Sequence, residues 1–296
     1  MPESHITTEN SPLATKLILK ILAESLDSET YAWISSKYES LTASWKASNF
    51  HMTFGMVGRK LPRSLAENPE QYQEEANEIL AGWKPQLSSL ECLARILLIS
   101  AFQPSSEEEA QKFLWDVFDT ADMWEQVAVF SSLPVLAYPQ AYVKLAAEGL
   151  RTNMAPVFDA VALNNPYPAV YFSEDAWNQM YLKAAFVGRP ISQIQSIPQR
   201  ANEKLSRIIL DYVDERWSAG REVSPEFWQA SSQFVTPAHL LALKKLATHE
   251  KEVHRAVVDV IRENNPLPDL TDLDLNLSKK WSWEQLGETY NKELTT

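Results

Sequence analysis

The chain has 296 residues, 45% hydrophobic and 22% charged, so it contains enough apolar material for one large domain or two ordinary ones. Its formal net charge of −12 argues against a general nucleic-acid or anionic-membrane binder, because phosphate-rich partners repel an acidic surface. The single cysteine, Cys92, excludes an intramolecular disulfide and fits a reducing compartment. The sequence has no apolar run near the roughly 20 residues of a membrane span, and the polar first ten residues do not resemble a secretory signal. We therefore expect a soluble, intracellular protein.

Along most of the chain, the residues typical of helix starts and ends and the spacing of the apolar residues predict the same helices. The seven glycines are too few for the many tight turns of an α/β sheet. Ser106 and the three glutamates that follow it are typical of a helix start, and apolar residues recur behind them at helical spacing. Pro225 and Pro237 occupy first helical positions, where the missing N–H of proline costs nothing. The sequence therefore predicts an all-α protein.

The predicted helices follow one another as pairs. The pairs are 86–102 with 106–120, 122–133 with 138–151, 154–164 with 173–188, 202–218 with 224–234, and 236–247 with 249–263. Short helices paired in this way are typical of a HEAT-like α-solenoid or an irregular helical array, and a single globular bundle is the alternative.

Three regions are predicted along the chain. An N-terminal helical cap covers residues 1–84, and the helical-pair array covers residues 85–268. Apolar and polar residues alternate from Leu270 to Leu277, which is a strand-like period without an evident partner strand. We interpret residues 269–296 as an extended C-terminal arm.

The usual catalytic and metal-binding signatures are missing from the sequence. It has no glycine-rich phosphate loop and no nucleophile elbow. His249 and His254 are five residues apart, which would place them on different sides of one helix, whereas zinc ligands four apart would share a face. We therefore predict no metal site, no cofactor and no catalytic residue.

Segment 164–228 has the most unusual composition. Residues 177–221 hold seven basic and four acidic side chains, a local charge of +3 in an acidic chain. The Asn-Pro-Tyr-Pro motif at 165–168 predicts a stiff connector, because each proline fixes its own φ and restricts the residue before it. In the next predicted helix Gln179 and Lys183 lie one turn apart and form a polar line.

Arg216 lies at the end of an apolar helical stripe. It has no obvious acidic partner on its own helix face. Either it pairs with a carboxylate from another helix, or it contacts an anion or polar headgroup beside an aromatic wall of Tyr167, Tyr171 and Trp177. The segment could also be a structural joint between helix pairs.

The segment contains several short motifs in a fixed order. They are Asn165-Pro-Tyr-Pro168, Trp177-Asn-Gln-Met180 with Lys183, Arg200-Ala-Asn202, Glu215-Arg-Trp-Ser-Ala-Gly-Arg221 and Trp228, preceded by Arg151-Thr-Asn153 and Phe158. Their order and spacing resemble the EboA family, densely over about 150–230 and thinly elsewhere. A histidine often precedes the Glu-Arg pair in that family, and its place is taken here by Asp214.

The resemblance implies a bacterial protein that helps to move secondary-metabolite precursors from the cytoplasm to the periplasm. It implies no enzymatic reaction for this component. We expect a cytoplasmic binding or adaptor protein, with peripheral contact at the inner face of the cytoplasmic membrane as a variant. Its partners would be a small-molecule precursor, other proteins of the same pathway, or both.

Two further functions are alternatives. The first is an enzyme or carrier for an isoprenoid or prenylated intermediate, with Lys183, Arg200, Arg216 and Arg221 as anion contacts. Diphosphate chemistry normally needs Mg²⁺ held by clustered carboxylates, which this segment lacks. The second is a protein-interaction scaffold. The candidate ligand- or partner-binding residues are Asn165, Tyr167, Tyr171, Trp177, Asn178, Gln179, Lys183, Arg200, Asn202, Arg216, Arg221 and Trp228.

Overall fold

All regular elements in the described part of the chain are helices, and the prediction of an all-α protein is confirmed. The computed structural model describes residues 10–264, 270 and 273–295. These residues fold into two compact units, one ending at Ser173 and the other beginning at Glu174. Within these residues, none of the helices combines the length and the apolar character that crossing a membrane requires.

The first unit consists of ten α-helices joined by short loops and 3-10 turns. They are α1 (Asn10–Ser25), α2 (Ser28–Ala43), α3 (Ala47–Lys60), α4 (Gln73–Ile79), α5 (Leu90–Ser100), α6 (Glu107–Thr120), α7 (Met123–Ser132), α8 (Val143–Gly149), α9 (Ala155–Ala162) and α10 (Tyr167–Tyr171). The 3-10 turns are Pro69–Tyr72, Pro85–Leu87, Leu133–Val135 and Pro139–Tyr142.

Helix α5 forms the centre of the first unit. All of its residues are buried, and it packs against α1, α2, α3 and α7. Two of these buried residues are charged, and they pair with each other, since Arg95 donates a hydrogen bond to Glu91 one turn away. Arg63 donates a second hydrogen bond to Glu91 over 2.7 Å. The pairing is required, because an isolated buried charge is strongly destabilising.

The second unit contains six α-helices among its described residues. They are α11 (Glu174–Phe186), α12 (Ile197–Arg200), α13 (Glu203–Ser218), α14 (Leu240–Ala247), α15 (Glu252–Asn264) and α16 (Trp283–Thr295). Three 3-10 segments, Ile191–Gln193, Pro225–Ser231 and Pro237–His239, complete it.

The 3-10 segment Pro225–Ser231 lies at the centre of the second unit. Helices α12, α13, α15 and α16 all pack against it. A 3-10 segment leaves backbone groups without helical partners, and these must be satisfied in another way when they are buried. The fully buried hydroxyl of Tyr181 does this: it donates to Phe227 O over 2.9 Å and accepts from Ala230 N–H over 3.4 Å.

The structure differs from the sequence-based expectation in three elements. Residues 225–231 form a 3-10 segment where an α-helix is predicted, because packing from several sides outweighs the weak helical preference of seven residues. Residues 167–171 form a short helix within the predicted stiff connector. The predicted extended arm is helical over Trp283–Thr295, and residues 273–282 before this helix have no regular secondary structure; residues 269, 271, 272 and 296 of the predicted arm lie outside the described residues. The HEAT-like repeat and the three-region division stay predictions.

We expect Gly149→Ala to destabilise the first unit. A Cβ at this position would lie 2.5 Å from Cζ of the buried Phe130, so a packed ring would have to move. Overpacking of this kind costs about 1–3 kcal/mol in the free energy of unfolding, measured by urea denaturation. Gly55→Ala is the matched control: its nearest contact would be 3.8 Å away, and it should leave stability unchanged or raise it. Equal effects of the two substitutions would contradict the packing argument.

Tyr181→Phe should destabilise the protein by about 1–3 kcal/mol, because it leaves two buried backbone groups of segment 225–231 without their partner. The urea-unfolding free energy measures this loss. Tyr212→Phe is the control, since the Tyr212 hydroxyl makes no hydrogen bond to the described part of the chain. A Tyr181→Phe protein as stable as the control would show that the hydroxyl does not hold the segment.

Candidate functional site

The Asn-Pro-Tyr-Pro motif lies in the first unit, where its side chains make local packing contacts and hydrogen bonds. Asn165 is buried; its Nδ2 donates to Ala160 O at 2.8 Å and to Phe130 O at 3.2 Å. Its Oδ1 accepts the N–H of Tyr167 over 2.9 Å and so begins α10. The amide of Asn165 therefore has a structural role.

The rings of the two tyrosines of α10 contact each other in a tilted arrangement, with centroids 4.9 Å apart. Tyr167 is fully buried, and its hydroxyl donates to Pro139 O over 2.6 Å. Burial, with a smaller contribution from Tyr171, raises the pKa of Tyr167 well above its ordinary value. Tyr171 is half-buried. These rings belong to the first unit, whereas Trp177, the third member of the predicted aromatic wall, belongs to the second.

Trp177 is buried in the core of the second unit. Its ring stacks on that of Tyr181 at a centroid distance of 5.5 Å, and the guanidinium of Arg200 lies 5.8 Å from the Trp177 ring. Burial lowers the pKa of this guanidinium. The Nε1 of Trp177 has no hydrogen-bond partner in the described part of the chain. A fully buried ring of this kind is a packing residue, and a ligand could reach it only after rearrangement.

Asn178 and Asn202 form a reciprocal amide pair. Asn202 Nδ2 donates to Asn178 Oδ1 over 2.9 Å, and Asn178 Nδ2 donates to Asn202 Oδ1 over 3.2 Å. The same Oδ1 of Asn202 accepts from Leu205 N–H and caps α13. The pair therefore fixes the start of α13 against α11.

The remaining polar residues of α11 face outward to different degrees. Gln179 is exposed, and Lys183 is half-buried.

Trp228 is buried beside Trp217, with ring centroids 6.3 Å apart, and its Nε1 has no hydrogen-bond partner in the described residues.

Arg216 opens onto a cavity of about 210 Å³ in the second unit. Its Nη2 donates to Glu222 O over 3.2 Å, but its buried Nε has no partner among the described residues. The buried hydroxyl of Ser224, which lines the same cavity, also has none. Such groups normally find a hydrogen bond, so the two unpartnered atoms are unusual.

The other walls of this cavity are aromatic and acidic. Phe227, Tyr212 and Tyr290 line it, with the Phe227 and Tyr212 rings 5.0 Å apart. Glu226 also lines it; this buried carboxylate accepts the N–H of Ser192 over 2.8 Å. The cavity thus combines cationic, hydroxyl, aromatic and carboxylate groups.

Arg221 is exposed and lines a second cavity of about 200 Å³. His249, His254 and Glu222 line the same cavity, and Glu222 also borders the Arg216 cavity. The prediction that the two histidines lie on different sides of a helix was wrong. Helix α15 begins at Glu252, so His249 belongs to the preceding loop, which folds back and brings the two ring centroids within 4.1 Å.

The surroundings lower the pKa of both His254 and Glu222. Burial, followed by the neighbouring His249, lowers the pKa of His254 to about 4. Burial would raise the pKa of Glu222, but the hydrogen bond and the charge of Lys251 lower it overall. At neutral pH the His254 imidazole is therefore neutral, whereas the Glu222 carboxylate is ionised.

A third cavity, of about 330 Å³, lies in the first unit. Thr15, Ser100 and Tyr142 contribute hydroxyls to it, and each of these hydroxyls already donates a hydrogen bond within the unit. The cavity is larger than the one at Arg216, but its polar groups need no ligand.

Seven of the twelve predicted site residues fall into two groups in the structure. Asn165, Tyr167, Trp177, Asn178 and Trp228 are buried packing residues, whereas Arg216 and Arg221 line cavities. Sequence reasoning missed Tyr212, Glu222, Ser224, Glu226 and Tyr290. Glu222 and Ser224 follow the Glu-Arg-Trp motif within a few residues, so proximity was a usable signal for them. Tyr290 had none, since it comes from a distant helix.

Asn178→Ala should destabilise the protein by about 1–3 kcal/mol, because Asn202 loses its amide partner in a half-buried setting. Chemical denaturation measures the change. The neighbouring exposed residue gives the control: Gln179→Ala should change the unfolding free energy by less than about 0.5 kcal/mol. If Asn178→Ala is as stable as the control, the amide pair does not hold α13.

Comparison with known proteins gives a match to a protein family. The family model described as "Metabolite traffic protein EboA" matches residues 14–232. No curated protein and no solved structure matches the chain. The matched stretch runs through most of the chain and includes Arg216, Arg221 and Glu222. The protein therefore belongs to the EboA family of metabolite traffic proteins.

Proposed function

We propose that this protein is a non-catalytic binding or adaptor protein that holds a small aromatic anion, a precursor of a secondary metabolite, on its way from the cytoplasm to the periplasm. The family description supports a role in metabolite traffic. The observation that carries the ligand class is that two residues lining one cavity, Arg216 and Ser224, each have a buried polar atom, Nε and Oγ, without a partner among the described residues.

The polar groups of the cavity suit a carboxylate or phosphate oxygen. An arginine Nε–H that donates to an anionic oxygen makes a charge-assisted hydrogen bond, which is stronger than a neutral one. The Ser224 hydroxyl can donate to the same anion. The carboxylates of Glu222 and Glu226 border the cavity as well, so a ligand with its own hydroxyl or N–H group could donate to them.

The aromatic residues set the shape of the ligand. Phe227, Tyr212 and Tyr290 offer faces and edges to a flat ring. The cavity volume of about 210 Å³ is below the roughly 300–1,000 Å³ of typical ligand pockets. It fits a compact aromatic acid better than a compound with a long prenyl chain. The volume therefore favours binding of an aromatic precursor over the alternative of an enzyme or carrier for an isoprenoid intermediate.

Direction and location follow from the same proposal. The protein would act on the cytoplasmic side and pass its ligand to other proteins of the pathway, at the inner face of the membrane where transfer takes place. The acidic charge of −12 argues for contact through a partner protein, since anionic lipids would repel it.

The experiment measures binding of 2-naphthoate and its uncharged amide by calorimetry. We expect the carboxylate to bind the wild type and the amide to bind at least about tenfold more weakly. Arg216→Gln and Ser224→Ala should weaken binding of 2-naphthoate, with the arginine change costing roughly 10- to 100-fold, as the loss of a charged hydrogen bond does. 2-Naphthoate should be recovered unchanged.

Arg207→Gln is the matched control, because Arg207 is exposed on the same helix, α13. It should leave binding unchanged. Circular dichroism confirms the fold of each variant. The proposal fails if Arg216→Gln binds 2-naphthoate as well as Arg207→Gln does, or if the amide binds as tightly as the acid.

A further inference from the structure

Three side chains with metal-binding atoms converge in the second unit. Glu222 follows α13, His249 precedes α15, and His254 lies in the first turn of α15. One ligand atom from each lies within 4.8 Å of the other two. Among the described residues this is the one group of three histidine, cysteine or acidic side chains with such an arrangement.

His254 supplies the most informative observation. The residue is only 3% exposed, and its Nε2 is buried without a hydrogen-bond partner in the described residues. A buried ring nitrogen normally finds a partner. The Tyr290 ring packs edge-on against the imidazole at a centroid distance of 5.7 Å, and the His249 ring lies tilted beside it at 4.1 Å. The imidazole is therefore held in place with one nitrogen available.

The loop that carries His249 is also fixed. Arg255 Nη1 donates to His249 O and to Glu250 O, each over 2.7 Å. Its Nε donates to Leu275 O over 2.8 Å. Because Arg255 lies one residue after His254, the same helical turn positions both histidines.

Two imidazoles and one carboxylate form a ligand set that binds Zn²⁺ and related divalent ions. Bonds of about 2.0–2.2 Å in a tetrahedral site bring ligand atoms to roughly 3.4 Å from one another. The present separations, which reach up to 4.8 Å, therefore require a contraction of up to about 1.4 Å. Rotation of the exposed Glu222 and the half-buried His249 can supply it while His254 stays in place.

Lys251 occupies the lone pairs that an ion would use. Its ammonium lies 3.1 Å from both carboxylate oxygens of Glu222, and its backbone N–H donates to His249 Nδ1 over 3.1 Å. A metal ion and these contacts of Lys251 compete for the same groups. Two further cations, Arg221 and Lys245, line the same cavity as the two histidines, and Lys245 is engaged over the Trp217 ring at 4.2 Å.

We propose that His249, His254 and Glu222 form a binding site for one divalent transition-metal ion of the zinc class, which displaces Lys251 when it binds. The remaining coordination position faces the cavity of about 200 Å³ next to Arg221, where water or an exogenous anion can complete the shell. The site goes beyond the proposed metabolite carrier and does not depend on it, since its ligands are protein side chains only.

The test uses the full-length chain without a histidine tag, stripped of metal with a chelator. Calorimetric titration with Zn²⁺ and visible absorption on titration with Co²⁺ report affinity, stoichiometry and tetrahedral geometry. We expect one ion per chain in the wild type and a rise in melting temperature with Zn²⁺, as binding to the native state requires. His254→Ala and His249→Ala should each weaken Zn²⁺ binding by roughly 100-fold.

His51→Ala is the matched control, because His51 is an exposed histidine of the first unit. It should leave affinity unchanged, whereas Lys251→Gln should raise it several-fold by removing the competing ammonium. If His254→Ala unfolds, Glu222→Gln and His249→Ala still test the site. Absence of Zn²⁺ binding by the wild type, or equal binding by His51→Ala and His249→Ala, overturns the proposal.

Discussion

The hydroxyl of Tyr181 satisfies two backbone groups of the buried 3-10 segment Pro225–Ser231, and the second unit is arranged around that contact. Without it, the carbonyl of Phe227 would be desolvated with no partner. The segment's irregular backbone places Phe227 and the buried Glu226 on the wall of the Arg216 cavity. Gly287 of α16 gives Glu226 its room, since a Cβ there would lie 2.3 Å from its Oε2. One buried hydroxyl thus supports the wall of the proposed ligand site.

The family motif has two physical roles. Its amides and large rings build the fold: Asn178 and Asn202 hold each other, and Trp177 fills the core. The last two arginines of the motif border cavities instead: Arg216 borders one cavity and Arg221 borders the other. Glu222 lines both cavities, so a ligand at one and an ion at the other would share its charge.

The first unit buries charged side chains as ion pairs. Its central helix α5 buries Glu91 and Arg95, and these charges are paired with each other and with Arg63. Replacing one partner would leave an uncompensated buried charge, which is strongly destabilising. The hydroxyls of Thr15, Ser100 and Tyr142 at its cavity are likewise hydrogen-bonded. At the Arg216 cavity, by contrast, Arg216 and Ser224 each have a buried polar atom without a partner among the described residues, and for this reason we place ligand binding in the second unit.

The sequence by itself determined the helical class and most helix positions, because capping residues, helical spacing and prolines are local signals. It also identified Arg216, since an arginine that ends an apolar stripe is visible in one helix. The sequence did not show that Asn165 and Trp177 are buried, because burial depends on which surfaces pack against each other in the fold. The sequence also did not predict the contact between His249 and His254, because the four-residue loop before Glu252 changes the direction of the chain between them. Only the tertiary structure brought Tyr290 to the cavity, since that contact joins helices far apart in the chain.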